Sequence, residues 1–223
     1  MIVTIDGTVG SGKSTAAGGL ARRLGAVHLD TGAMYRAVTL KALLAGTDLE
    51  DEAALARLAA ETQIDLDVAD GRQRVLLDGR DVTGDIRQER VSAHSHYVAR
   101  ARGVRGVLVE QQRAFAVRAG NVVAEGRDQG TVVFPKADVK FYLDADPQVR
   151  ARRRQMELEA RGEYRSFRQV LEDVLARDRR DSTREASPLK AAADAVRVDT
   201  SDLSIEATVD LLEAEVRRRG GAP

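Results

Sequence analysis

The sequence predicts an α/β domain, a five-stranded parallel sheet with helices on both faces. Three observations carry this expectation. Short, β-branched runs recur along the chain: "IVTI", "AVHLD", "NVVAE", "DVKFYLD" and "AVRVD". Helical text lies between them, which is the order of a parallel sheet covered on both sides. A glycine-rich stretch, "DGTVGSGKST", separates the first run from the first helical segment. The chain has 223 residues, 43% of them hydrophobic, enough for a single domain over 1–223 with insertions.

Taken in order, "IVTI" reads as a buried strand. In the stretch that follows, Gly7 and Gly12-Lys13-Ser14 fit the pattern G-x-x-x-x-G-K-[ST], with an extra glycine at Gly10. Such a loop wraps so that consecutive N–H groups converge on an anion, and the helix starting near Lys13 adds its positive end. The candidate cradle is Gly7, Thr8, Val9, Gly10, Ser11, Gly12, Lys13, Ser14 and Thr15. It suits a nucleoside triphosphate, with Lys13 reaching the β- and γ-phosphates and the Ser14 hydroxyl ligating Mg²⁺. In the helix, Ala16, Leu20 and Leu24 form one stripe and Gly25 is the stop signal. Gly18 and Gly19 weaken it locally. "AVHLD" is the second strand, and "AMYRAVTLKALLAG" the second helix.

The rhythm then breaks. From about Ile64 to Val82, apolar and polar residues alternate around Asp70-Gly71 and Asp78-Gly79, the pattern of an antiparallel hairpin or small meander. Polar helical text follows to about Arg102. Residues 63–101 therefore read as an insertion into the α/β core, either a surface decoration or a substrate-side cap. "NVVAE", "DVKFYLD" and "AVRVD" complete the five strands. Between the last two lies Arg150 to Arg184, with eleven arginines, no lysine and seven acids. Pairs at i,i+4 explain "LEDVLARDRR". They do not explain "RARRRQ", where arginines crowd without acids, as in a clamp for a transferring phosphoryl group.

Composition narrows the options. The 35 basic and 35 acidic side chains cancel, which argues against a globally basic nucleic-acid binder. There is no cysteine, hence neither a disulfide framework nor a thiolate site. No apolar run reaches membrane-spanning length. The N-terminus enters a strand directly, so no signal peptide is expected and the cytoplasm is the default location. His94 and His96 sit at i,i+2, do not share a helix face and have no evident third ligand, so no metal site is expected there. Glu125 ends a strand. It could contact Mg²⁺ through water or be an ordinary strand-end carboxylate.

A phosphate cradle leaves several classes open. The guanine-reading N-K-x-D of a GTPase switch is absent from the sequence. A small-molecule kinase needs a second site, with arginines for an acceptor phosphate. The segments "HLDTGAMYRAVTLKAL", "LLDGRDVTGDIRQERV", "VAEGRDQGTVVFPKADVKFYLDA" and "RDRRDSTREASPLKAAADAVRVDTSDLSIEATV", with the opening loop, resemble the bacterial cytidylate kinases in order along nearly the whole chain. The resemblance implies a P-loop kinase fold with a nucleotide-binding insertion and a mobile arginine-rich helical lid, at about 150–168. It implies phosphoryl transfer from ATP to CMP or dCMP with Mg²⁺, and no nucleic-acid or membrane partner. A monomer is the simple expectation. The alternatives are another small nucleotide kinase, with UMP the leading acceptor, and a regulator that binds ATP without transfer.

The resemblance also assigns residues. Asp128 matches the aspartate that reads the base, and a carboxylate accepts well from the cytosine amino group. Taken alone, Asp128 could instead cap the turn after its strand. Ser95 and Arg105 match further base-site residues, and Thr31 and Arg36 match the acceptor lining. Arg36 and Arg127 match phosphate-holding arginines, and Arg184 matches another. Arg177 and Asp181 match groups near the acceptor sugar. Among the lid arginines, Arg150 and Arg154, one turn apart, are expected at the transferring phosphoryl group, with Arg153 next. The chain departs from the family in having Gln129 in place of the usual methionine, Ser14 where glycine is common, and a less typical "HSHYVARARG".

Overall fold

The structure, a computed structural model, describes residues 1–69 and 72–220. The chain forms two compact units, Met1–His28 with Ala119–Pro223, and Leu29–Arg118.

The first unit is built on strands β1 (Ile2–Gly7), β6 (Val122–Gly126), β7 (Val139–Asp144) and β8 (Val196–Asp199), with β2 (Val27–Asp30) running across the boundary between the units. The five-stranded parallel sheet has the order β2-β6-β1-β7-β8. The central strand, β1, pairs in parallel with β6 and β7. All five sequence-predicted strands are present. Val3 and Ile5 of β1, with Val123, Phe141, Leu143 and Val198, form one apolar face. Helices α1 (Lys13–Arg23) and α8 (Ile205–Arg218) cover it through Ala16, Leu20, Val209, Leu212 and Val216. Helices α6 (Pro147–Glu159) and α7 (Phe167–Thr183) share a smaller core of Ala151, Leu158, Val170 and Val174, against which Val9 packs. A capping box between Ser166 and Gln169 starts α7 and satisfies two otherwise orphaned donors.

The second unit contains α2 (Thr31–Ala45), α3 (Glu52–Ala60), strands β3 (Ile64–Ala69), β4 (Arg72–Leu77) and β5 (Arg80–Asp81), α4 (Glu89–Arg100) and α5 (Arg102–Ala119). The strands form an antiparallel sheet in sequence order, the meander expected from the alternation. Of its two expected turns, Asp78-Gly79 lies between β4 and β5, with Gly79 at φ 82°. Asp70-Gly71 lies outside the described residues. The core of this unit joins Ala33, Ala37 and Leu40 of α2 to Val75, Leu77, Val82, Ile86 and Val91. The elements β3 to α4 run from Ile64 to Arg100, inside a compact unit that begins at Leu29 and ends at Arg118.

Gly7 closes β1 where it pairs in register with Leu143 of β7. Its φ is +151°, and a Cβ there would stand 1.9 Å from the Leu143 carbonyl oxygen. Only glycine lets the two strands stay this close. Gly106, in the second turn of α5, has open space around it. Gly7→Ala should therefore destabilise the protein by about 3 kcal/mol or more, through overpacking and backbone strain together. Gly106→Ala should stabilise it by up to about 1 kcal/mol. Urea unfolding of the two variants checks the opposite signs; a Gly7→Ala variant as stable as wild type would refute the close-approach argument.

Candidate active site

The glycine-rich loop leaves β1 at Gly7 and enters α1 at Lys13. Gly10 and Gly12 take φ of 74° and 82°, the left-handed values that glycine tolerates. A Cβ at Gly10 would meet the Arg150 Cβ and carbonyl oxygen at 3.1 Å, so α6 lies directly against the loop. The loop is braced from several directions. The Thr8 hydroxyl donates to Asp144 Oδ1 at 2.6 Å. The Val9 amide donates to Asp178 Oδ1 at 3.3 Å. The Ser11 hydroxyl donates to the Thr8 carbonyl at 3.0 Å, and Thr200 Oγ1 donates to the Ser11 carbonyl at 3.0 Å.

Lys13 is buried and donates to the Thr8 carbonyl. Burial, reinforced by the nearby Arg127, lowers its ammonium to about 7. A desolvated lysine beside another cation favours an anion that would restore its charge. One residue on, Ser14 Oγ donates to Glu125 Oε2 at 2.7 Å. The other carboxylate oxygen, Oε1, lies 3.1 Å from His28 Nε2. A hydroxyl and a carboxylate are the hard oxygen donors that Mg²⁺ prefers, and Mg²⁺ commonly takes one or two carboxylates and completes its shell with phosphates and water. Ser14 and Glu125 fit that ion. Thr15 follows on α1 and is exposed.

Past β6, Arg127 Nε donates to Asp181 Oδ2 at 2.7 Å. Burial opposes the charge of this arginine, but Asp181 and Glu125 hold it above the ordinary guanidinium value. Burial likewise opposes the charge of Asp181, and Arg127 and Arg177 overcome it and keep the carboxyl below its usual range. Arg127, Arg177 and Asp181 thus form one electrostatic group, with Lys13 inside its field. Arg184, at the end of α7, donates through Nε to the Ser187 carbonyl at 2.6 Å. Asp128 is buried and precedes a π-helical turn, Gln129–Val133. Its side chain makes no cap bond to that turn. The turn is held instead by Asp6 of β1, whose two oxygens accept from the Gln129 and Gly130 amides at 2.8 Å each. Gln129 is itself buried.

The lid arginines are placed differently from one another. Arg150 is only 3% exposed. It donates to the Ala145 carbonyl at 2.8 Å, the Val9 carbonyl at 3.0 Å and Asp178 Oδ2 at 2.6 Å. Arg153 donates to Thr200 Oγ1 at 3.2 Å and to the Thr200 carbonyl at 2.6 Å. Arg150 therefore braces the loop directly, and Arg153 braces it through Thr200, whose hydroxyl donates to the Ser11 carbonyl, roles that the crowding of arginines alone does not reveal. Arg154 lies a turn beyond Arg150 and pairs with Glu157 at 3.1 Å.

In the Leu29–Arg118 unit, Asp30 caps α2 by accepting from the Ala33 amide at 2.9 Å and also accepts from Arg36 Nη2 at 3.1 Å. Arg36 Nε is buried without a hydrogen-bond partner. Thr31 opens α2 and is buried. Ser95, on α4, donates to the Ser92 carbonyl at 3.0 Å. Arg105, on α5, donates to the Ala99 carbonyl at 3.2 Å and lies 5.4 Å over the Tyr35 ring.

Sequence reasoning missed Asp6, His28, Asp30, Asp144, Asp178 and Thr200. An N-cap signal was available for Asp30 alone, an aspartate directly before a helix. Among the described residues no helix is long and apolar enough to cross a membrane.

Comparison with known proteins identifies the family of the chain. A family model described as cytidylate kinase matches residues 3–218. A cytidylate kinase of Pelotomaculum thermopropionicum is 50% identical over 215 residues, covering 96% of this chain and 95% of the relative. One from Geobacter sulfurreducens is 47% identical over 219 residues, covering 98% and 94%. One from Pseudomonas savastanoi is 45% identical over 221 residues, covering 98% and 96%. A crystal structure from Thermus thermophilus shares the fold, with a TM-score of 0.50 at 20% identity over 97% of each chain. With a family match over nearly its whole length and relatives at this identity, the chain belongs to the cytidylate kinase family.

Proposed function

We propose the following division of labour for the transfer of the γ-phosphoryl group of ATP to CMP or dCMP, the reaction of this family. The glycine loop, Gly7 to Thr15, holds the triphosphate. The observation that carries the reading is Lys13, a buried ammonium inside the loop and beside Arg127. Its charge is most favourable against phosphate, so it steadies the γ-group through transfer. Ser14 and Glu125 would hold Mg²⁺, which when bound would supply neutralisation of phosphate charge.

The acceptor is divided among several groups. Arg36, Arg127 and Arg184 hold the CMP phosphate, whose oxygen bonds to the γ-phosphorus as the bond to ADP breaks. That oxygen is already a competent nucleophile, so no covalent enzyme intermediate is needed and positioning dominates. Asp128 accepts from the cytosine amino group, with Ser95, Arg105 and Thr31 completing the acceptor lining. Arg177 and Asp181 orient the sugar. Arg150 and Arg153 act by bracing the glycine loop, and Arg154 is the lid arginine for the transferring group. The protein acts as a cytoplasmic monomer on free nucleotides. A coupled ADP-release assay with CMP, dCMP, UMP and AMP tests the reading as a whole: CMP and dCMP should turn over far better than UMP or AMP.

Three variants test the parts. Lys13→Ala should lower kcat by about 10²- to 10³-fold, as loss of a transition-state donor does, with an unchanged circular dichroism spectrum; near-normal turnover would remove the loop from the mechanism. Arg36→Ala and Arg184→Ala should each lose a charge-assisted contact worth about 1.5–3 kcal/mol. The loss should appear as weaker use of CMP with little change in KM for ATP, and steady-state kinetics in which neither variant differs from wild type would make both arginines structural. Wild type should reject UMP by about 10⁴-fold, because uracil sets a carbonyl oxygen against the Asp128 carboxylate. Asp128→Asn can present a donor or an acceptor, so the ratio of kcat/KM for CMP to that for UMP should fall sharply. An unchanged ratio with equal losses on both substrates would assign cytosine reading elsewhere.

A further inference from the structure

Near the end of β1 stands a buried carboxylate, Asp6. Asp6 grips the turn that follows Asp128. Its Oδ1 accepts from the Gln129 amide and its Oδ2 from the Gly130 amide, both at 2.8 Å. These are consecutive N–H groups at the start of the π-helical turn. The backbone carbonyl of Asp128 meanwhile accepts from the Val132 and Val133 amides at 2.9 and 3.2 Å. The peptide unit joining Asp128 to Gln129 is thus fixed on its carbonyl side by the turn and on its amide side by Asp6. The side chain of Asp128 takes no part in capping.

Asp6 is also well placed as an anchor. It lies on the central strand of the sheet, in register with Gly126 of β6 and Tyr142 of β7. It is 3% exposed and directly precedes Gly7, where the phosphate loop begins. With one amide on each oxygen, it is a holder rather than a proton acceptor for substrate. Burial pushes its carboxyl up to about 6, in keeping with a group retained for its geometry despite desolvation.

We propose that Asp6 is a positioning residue for base selection, clamping the Gln129–Gly130 amides so that the Asp128 carboxylate is aimed at the acceptor base. The clamp ties the base-reading residue and the phosphate loop to a single strand. This inference rests on the reading of Asp128 as the cytosine acceptor. Replacing Asp6 by asparagine keeps its shape but sets an amide donor against one of the two N–H groups, which lets the turn shift. A displacement of about 1 Å is enough to lose about 10²-fold in a positioned reaction.

The experiment measures kcat/KM for CMP and for UMP, KM for ATP, and urea stability in wild type, Asp6→Asn, Asp128→Asn and the double variant. Asp6→Asn should lower the CMP:UMP ratio by about tenfold or more while KM for ATP stays within about threefold. The double variant should show the same ratio as Asp128→Asn alone, because both changes act on one contact. Gly130→Ala disturbs the same turn from its other side, since a Cβ there would stand 3.0 Å from Thr4 Oγ1 and 3.2 Å from Lys140 Cδ. It should lower the ratio as well, and it carries the test if Asp6→Asn does not fold. A ratio that collapses in Asp128→Asn but is unchanged in Asp6→Asn and Gly130→Ala overturns the clamp and leaves the base reading intact. An unchanged ratio in Asp128→Asn overturns the base reading and the clamp with it.

Discussion

Arg150 ties together three parts of the chain that are far apart in sequence. Its guanidinium donates to the Val9 carbonyl in the phosphate loop, to the Ala145 carbonyl after β7 and to Asp178 on α7. Asp178 in turn accepts from the Val9 amide. A glycine-rich loop has many conformations available, and their entropy opposes a fixed cradle. The Arg150–Asp178 pair removes that freedom by taking both the donor and the acceptor of Val9. Thr8 on Asp144 and Thr200 on Ser11 extend the same control along the loop. The loop's own sequence permits the cradle, and the surrounding carboxylates, hydroxyls and guanidinium select it.

The electrostatics of the site follow two opposite rules within a short span. Arg127 and Asp181 face each other, and each keeps its charge in spite of burial. Lys13 is desolvated by burial and has Arg127 beside it, and it loses much of its preference for being charged. The first pair is internally balanced and suits a scaffold for neutral and hydroxyl groups as well as anions. The second is unbalanced in a way that a polyphosphate corrects. A single protein environment can thus hold one cation permanently and keep another responsive to substrate.

Most of the fold is legible in the sequence because its signals are local. The strand runs, the P-loop spacing and the alternation around Asp78-Gly79 each lie within a few residues. Gly19 shows where local reasoning stops. Within α1 it is a weak helix former, yet a Cβ there would stand 2.8 Å from Val209 Cγ2, so its absence of a side chain serves the approach of α8. The same limit hides Asp6, whose partners lie more than 120 positions away, and Thr200, which is 189 positions from Ser11. Within the arginine crowding of α6, sequence spacing cannot separate Arg150 and Arg153, which are turned into the structure, from Arg154 beside Glu157. Those assignments depend on tertiary packing that no periodicity encodes.

The concentration of arginine between residues 150 and 184 in a chain of zero formal net charge has a kinetic consequence. Approaching nucleotides respond to the local field and not to the total, since the Debye length at physiological ionic strength is about 8 Å. A neutral protein with this distribution behaves as a cation toward phosphates near its arginine-rich arm and as an anion elsewhere. Encounter is therefore faster and better oriented than net charge suggests. Added salt weakens the field of the arm while leaving the buried contacts around Lys13 and Arg127 less screened. Ionic strength in this protein thus acts on arrival more than on the chemical step.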